Sequence, residues 1–143
     1  MHPMLSAFRL VAALLFLLPA AVASAQDTTP EPWQDVITHQ IEAFRHGDAV
    51  EAFSYAGASF QDSFPSAAAF FRTIVGSGYS PIMTSTSHSF GAYQRVAPDG
   101  VVQVVKFVGP HQELFEAIYE LSEEETGWRV QGVMLGQPKG IGI

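Results

Sequence analysis

The fold turns on three stretches: Val101-Val-Gln-Val-Val-Lys-Phe-Val108, Glu113-Leu-Phe-Glu-Ala-Ile-Tyr-Glu-Leu-Ser122 and Trp128-Arg-Val-Gln-Gly-Val-Met-Leu135. Each is dense in β-branched and aromatic residues, the side chains that fit a pleated, half-buried surface. Ser85 to Val96 has the same character. Between them lies turn chemistry: Pro98-Asp-Gly100, Gly109-Pro110 and Glu125-Thr-Gly127. Connections this short join neighbouring antiparallel strands, so four strands in a meander are expected. In the third, Phe115, Ala117, Tyr119 and Leu121 alternate with Glu116 and Glu120, giving one buried and one polar face. In the fourth, Trp128, Val130 and Met134 are expected to fall together. The second is apolar on nearly both faces, which implies cover on both sides.

Upstream of Pro81 the period changes to that of helices. Trp33, Ile37, Ile41 and Phe44 are spaced by four, four and three, one face of an amphipathic helix, and Gly47 is its stop. Asp48-Ala-Val-Glu51 has the form of a capping box, so a second helix should run from Ala49 to about Tyr55. Ser59 to Pro65 reads as an irregular connector with aromatic plugs at Phe60 and Phe64. Ser66 can cap a third helix carrying Phe70, Phe71, Ile74 and Val75, closed by Gly76 and Gly78. Helices followed by an antiparallel sheet make an α+β domain with the helices packed on one face of a curved four-stranded sheet.

At the other end of the chain, Arg9 precedes the apolar run Leu10 to Leu18, Pro19 and then Ala23-Ser24-Ala25. A charged lead, a short apolar segment and a small-x-small site form the layout of a secretory signal peptide over residues 1–25. The run is shorter than the roughly 20 residues that span a bilayer. The expected organisation is therefore a cleaved leader at 1–25, a flexible polar lead-in at 26–32, one domain at 33–136 and a Gly-rich tail at 137–143. The location is exported, either periplasmic or released.

Beyond the leader the basic residues are Arg45, Arg72, Arg95, Lys106, Arg129 and Lys139, against fourteen acidic ones, a formal charge of -8. Long-range electrostatics oppose nucleic acid and anionic lipid, and no membrane span is expected in the mature chain. The chain has no Cys. That excludes disulfides, thiol catalysis and iron–sulfur ligation, so the domain must hold together through its core.

The order and lengths of the elements resemble the nuclear-transport-factor-two-like superfamily, the α+β cone that includes ketosteroid isomerases. Gln40-Ile-Glu-Ala-Phe-Arg-His-Gly-Asp48, Ala52-Phe-Ser-Tyr-Ala56, Gly78-Tyr-Ser-Pro81 and Gly127-Trp-Arg-Val-Gln-Gly132 are similar to a family of small exported bacterial proteins, domain of unknown function 4864. The likeness runs from about Val36 to Leu135. It implies the cone-like fold and an address outside the cytoplasm, and carries no activity and no catalytic residues.

Isomerase chemistry in such a cone needs a carboxylate base in an apolar pocket and donors for an enolate oxygen. Asp48 or Asp62 as base and Tyr55 or Tyr119 as donor are the candidates, against their plainer roles as cap, connector and core residues. His39, Glu42 and His46 lie on one helix, but the histidines are seven apart, about 10.5 Å along the axis, too far to share an ion. His88 and His111 stand alone, so no metal and no cofactor are expected. Gly-x-Ser-x-Gly and phosphate-loop patterns are absent, and Glu123-Glu-Glu125 reads as a solvated hairpin tip. Phe70-Phe71 and Phe60/Phe64 have the character either to line a pocket or to fill a core, and core filling is the plainer reading.

Three readings follow. The first is a non-catalytic pocket for a small apolar ligand, lined by Phe44, Tyr55, Phe71, Phe115, Tyr119 and Trp128. The second is an interaction module whose open sheet face pairs with a second copy or an envelope protein. The third is an isomerase- or hydratase-type enzyme using the cone.

Overall fold

The computed structural model describes residues 29–136. The leader and tail expected from the sequence lie outside the described residues. Helix α1 runs Pro32–Arg45. Proline is tolerated at this first position, where its missing N–H would have no helical partner. Pro32 is thus helical and does not belong to the lead-in. The Gln34 side chain accepts the Glu31 N–H at 3.0 Å, closing the N-terminus. At the other end Gly47 takes φ +70°. Asp48 N–H then reaches Ala43 O and Gly47 N–H reaches Phe44 O, at 2.8 and 3.1 Å. These are the paired bonds by which a left-handed residue satisfies the last carbonyls of a helix.

Helix α2, Ala49–Ser54, starts on the Asp48 carboxylate, which accepts from the Glu51 N–H. Glu51 does not reciprocate to the cap; its carboxylate accepts from the Tyr55 hydroxyl at 3.0 Å. The expected connector after it is helical: α3 spans Ala58–Ser63. Its cap Gly57 has no side chain to offer, and the Ala58 N–H is taken instead by the Glu124 carboxylate at 3.0 Å. Helix α4, Ala67–Ile74, is capped by Ser66. It does not stop at Gly76. A widened turn over Val75–Tyr79, with Gly78 at φ +94°, leads into a short α5, Ser80–Thr84.

The sheet has strands β1 Ser87–Ala97, β2 Gly100–Val108, β3 Leu114–Glu124 and β4 Gly127–Leu135, in the order β1-β2-β3-β4 and all antiparallel. β3 alternates as its sequence requires, with Phe115, Ala117, Tyr119 and Leu121 buried. Trp33, Ile37 and Ile41 of α1 and Ile82 of α5 pack on this face together with Val101, Val105 and Phe107. The opposite face of β2 is only half covered: Val102, Val104 and Val108 are intermediate and Lys106 is exposed. The expected cover on both sides is incomplete because the helices that reach the sheet core, α1 and α5, pack on the first face.

Two bulges shape the sheet. In β1, Gly91 and Ala92 stand opposite Val104 alone. In β4, Gln131 is the extra residue, since Glu120 pairs with Gly132 while Leu121 pairs with Val130. A single added residue reverses the facing of everything beyond it. Val133 and Leu135 therefore turn to the core, and Met134 turns out to 69% exposure. The expected grouping of Met134 with Trp128 and Val130 is wrong for that reason.

Gln103 ties these parts together. It is fully buried on the apolar face of β2. Its carbonyl oxygen accepts from the Trp33 indole at 2.9 Å and from Gln34 Nε2 at 3.0 Å. Its Nε2 donates to the Gly91 carbonyl at 3.0 Å, one of the groups the β1 bulge leaves out of register. Replacing Gln103 with Leu keeps the bulk but strands a buried indole N–H and the bulge carbonyl, each worth about 1–3 kcal/mol when left unpaired. Gln103→Leu should lose about 3 kcal/mol in urea unfolding, with an unchanged m-value; a loss below about 1 kcal/mol would deny the hub its role.

Candidate functional site

Between the helices and the far end of the sheet lies a cavity of about 310 Å³. Phe44 of α1, Phe60, Phe64 and Phe70 form one wall, Ile74, Tyr79 and Met83 a second, and Tyr119, Val130 and Val133 the floor. Phe70 organises the aromatic wall. It is buried, with the rings of Phe53, Phe64, Phe60 and Phe44 at 4.9, 5.6, 5.8 and 6.0 Å. Tilted and edge-on pairs of this kind each add about 0.5–1.5 kcal/mol beyond the area they bury. The widened turn is pinned to the floor by the Tyr79 hydroxyl, which donates to Val133 O at 2.8 Å. On the far side Ala56 bridges to Val130, with Gly57 N–H donating to Val130 O and Val130 N–H to Tyr55 O. Thr73 and Ser77 are exposed residues at the rim. Among the described residues no charged side chain lines the space.

Two buried polar side chains reach it. Gln40 is anchored, its Nε2 donating to Ala52 O at 3.0 Å. Tyr119 is 2% exposed, and burial pushes its phenol well above the ordinary value, so it stays protonated; the Arg45 charge acts weakly the other way.

A polar cluster stands apart from the cavity lining. The Arg45 Nη2 donates to Ser85 Oγ at 2.9 Å and to His88 Nδ1 at 3.3 Å. With Nδ1 accepting, the Nε2–H of His88 is left to donate to Thr38 Oγ1 at 3.0 Å. Burial lowers the His88 pKa first and the Arg45 charge second, with Glu42 opposing. The Arg45 pKa is lowered as well, by burial.

The family model for the domain of unknown function DUF4864 matches residues 26–143. The chain belongs to that family. No curated protein matches the sequence. Among solved structures, a Campylobacter jejuni protein provisionally named an NTF2-like transpeptidase matches with a TM-score of 0.54 at 10% identity, over 71% of this chain and 99% of that one. A Novosphingobium aromaticivorans protein provisionally named an aromatic ring hydroxylase matches with a TM-score of 0.44 at 13% identity, over 77% and 91%. The first likeness establishes the nuclear-transport-factor-two-like fold of this DUF4864 domain and nothing about chemistry.

In the DUF4864 domain, Phe44 and Tyr119 are the two sequence-chosen pocket residues on the cavity wall. The others lie elsewhere. Phe71 packs on the Phe44 ring at 5.5 Å without lining the space. Tyr55 sits between His39, stacked at 5.8 Å, and Arg129. Phe115 stacks on Phe107 at 5.0 Å in a separate groove, and Trp128 meets Trp33 at 5.3 Å. The residues read as core filling, Phe60, Phe64 and Phe70, are the ones that build the wall. Asp48 is occupied as a helix cap and Asp62 is exposed on α3, so neither carboxylate meets Tyr119 in the cavity. His39 and His46 are exposed, and no cluster of three metal-type ligands occurs among the described residues.

His88 contacts Thr38 and Arg45 from α1 and the Phe90 and Phe107 rings, with Glu42 acting on it electrostatically and Ser85 holding the same Arg45 nitrogen. A histidine whose pKa is depressed on folding binds its proton more readily when unfolded. Its penalty is absent above the ordinary value of 6.5 and grows as pH falls below it. The urea midpoint should fall between pH 7.5 and 5.5, and His88→Gln should flatten that fall; an equal fall in the variant would assign the acid sensitivity elsewhere.

Proposed function

We propose that this DUF4864 domain is a non-catalytic carrier or sensor of a small apolar molecule outside the cytoplasm. The observation that carries the reading is the cavity itself. A space of about 310 Å³, walled by aromatic and aliphatic side chains with no charge on its lining, is of the size and character that take small ligands. The leader-like pattern of Arg9, Leu10 to Leu18 and Ala23-Ser24-Ala25 supports the address. The isomerase reading has no general base at the cavity among the described residues, whose lining includes no carboxylate and no histidine.

Native mass spectrometry of the exported protein should show extra mass that disappears on denaturation. The purified domain should also take up the neutral fluorophore N-phenyl-1-naphthylamine. Thr73→Trp places an indole at the exposed rim, away from the core. It should weaken uptake at least tenfold with an unchanged melting temperature. Uptake that survives this blockade would place the probe elsewhere and remove the cavity reading.

A second reading rests on the outer face of the sheet. Val104 pairs with Ile118 and Ile118 with Met134, an apolar row across three strands in which Ile118 is 43% and Met134 69% exposed. Such a row gains by being covered, and a second copy offers the matching row. Sedimentation should then show a dimer at micromolar concentration that Ile118→Lys reduces to a monomer; a monomeric parent protein would end this reading.

A further inference from the structure

Resting on the binding reading, the geometry points to the chemical class of the ligand: we infer that the cavity takes a neutral apolar molecule with one hydrogen-bond acceptor oxygen, held by the Tyr119 hydroxyl. Tyr119 projects from the middle of β3 onto the cavity floor, and its ring is almost wholly buried. Among the described residues no hydrogen bond claims its hydroxyl: Gln40 on the same lining donates to Ala52 O, and Tyr79, the other tyrosine there, donates to Val133 O. The hydroxyl is not sealed in either. Among the described residues, Arg45 Nε is the one side-chain polar atom cut off from solvent without a partner, so the Tyr119 oxygen is not cut off, and Tyr119 is one of the residues that line the cavity. An apolar occupant that displaces solvent would leave this hydroxyl unpaired at a cost of about 1–3 kcal/mol, which an occupant bringing its own acceptor avoids.

The sign of the surrounding field chooses the partner. The Arg45 guanidinium lies close enough to act on the phenol, and burial keeps the phenol protonated. A positive charge near an O–H donor strengthens it and favours the negative end of a ligand dipole, such as a ketone, aldehyde or ester oxygen. A cation finds no carboxylate on the lining. An anion gains little, because Arg45 does not line the cavity and its Nη2 already serves Ser85 and His88. The remaining walls are hydrocarbon, so the rest of the molecule must be apolar.

Three naphthalene probes of near-equal size separate the alternatives: 2-acetylnaphthalene, its hydrocarbon analogue 2-isopropenylnaphthalene, and 2-naphthoate. The wild-type domain should bind the ketone about tenfold more tightly than the hydrocarbon, the value of one net hydrogen bond. Tyr119→Phe should abolish that difference, with hydrocarbon affinity and the melting temperature no lower than in the wild-type domain. Should the variant prove unstable, the carbonyl stretch of the ketone bound to the wild-type domain, shifted to lower frequency, reports the same bond. Equal binding of ketone and hydrocarbon by the wild-type domain would overturn this inference and leave the binding reading standing. Tighter binding of 2-naphthoate than of the ketone would overturn the neutrality of the ligand. Failure of all three to bind would overturn the binding reading and this inference with it.

Discussion

The hydrogen bonds of one buried amide hold the architecture in register. Gln103 faces the apolar side of β2, where a hydrocarbon would ordinarily sit, and it connects three things that have no other common partner: the indole of Trp33, the start of α1 and the out-of-register carbonyl of the β1 bulge. A bulge inside a sheet leaves backbone groups unsatisfied, and a helix laid over it must reach a fixed position to avoid burying them alone. The amide meets both needs at once. Because Trp33 in turn packs on Trp128 and Tyr93, the same bonds set how α1 lies against both ends of the sheet. The cavity inherits its shape from that placement, since Gln40 and Phe44 lie further along the same helix.

Legibility in the sequence followed the range of the interactions. Strands β2 and β3 were readable because alternation and the turns that bound them are written within a few residues of each other. The starts of α2 and α4 were readable because Asp48 and Ser66 bond the chain three residues on. Helix α3 was not, because its N-terminal donor is met by Glu124, which Glu123-Glu-Glu125 presents as an ordinary acidic hairpin tip. That contact holds the Glu124 carboxyl below its usual range, with Gln131 adding a second bond. The facing of Met134 was hidden by a bulge whose extra residue, Gln131, looks like any other polar strand residue. Gln103 itself gave no signal beyond its polarity within an apolar run.

The candidate site was legible in part, for a similar reason. Phe44 and Tyr119 were placed at the cavity because helix and strand periodicity assign them to inward faces. Phe60 and Phe64 could not be separated from filler by pattern, since a ring that walls a space and one that fills it carry the same periodicity. What separates them is where neighbouring elements stop, and here the space is bounded by residues of α4, of the widened turn at Val75–Tyr79 and of the strands beneath. A general base was expected only as a candidate, and the two carboxylates considered for it are spent on a cap and on solvent.

The strand edges carry a consequence of their own. An exposed strand edge is a template on which further chains can pair, and proteins blunt such edges to stay dispersed. Here the β4 edge is taken at Val130 by the chain itself, through Tyr55 and Gly57. The β1 edge is broken by its bulge at Gly91 and Ala92 and by a second irregularity between Arg95 and Ala97. Neither side offers a long flat ladder. These interruptions make both edges poorer templates for sheet extension, which favours contact with a neighbour through the faces of the sheet over contact through its edges.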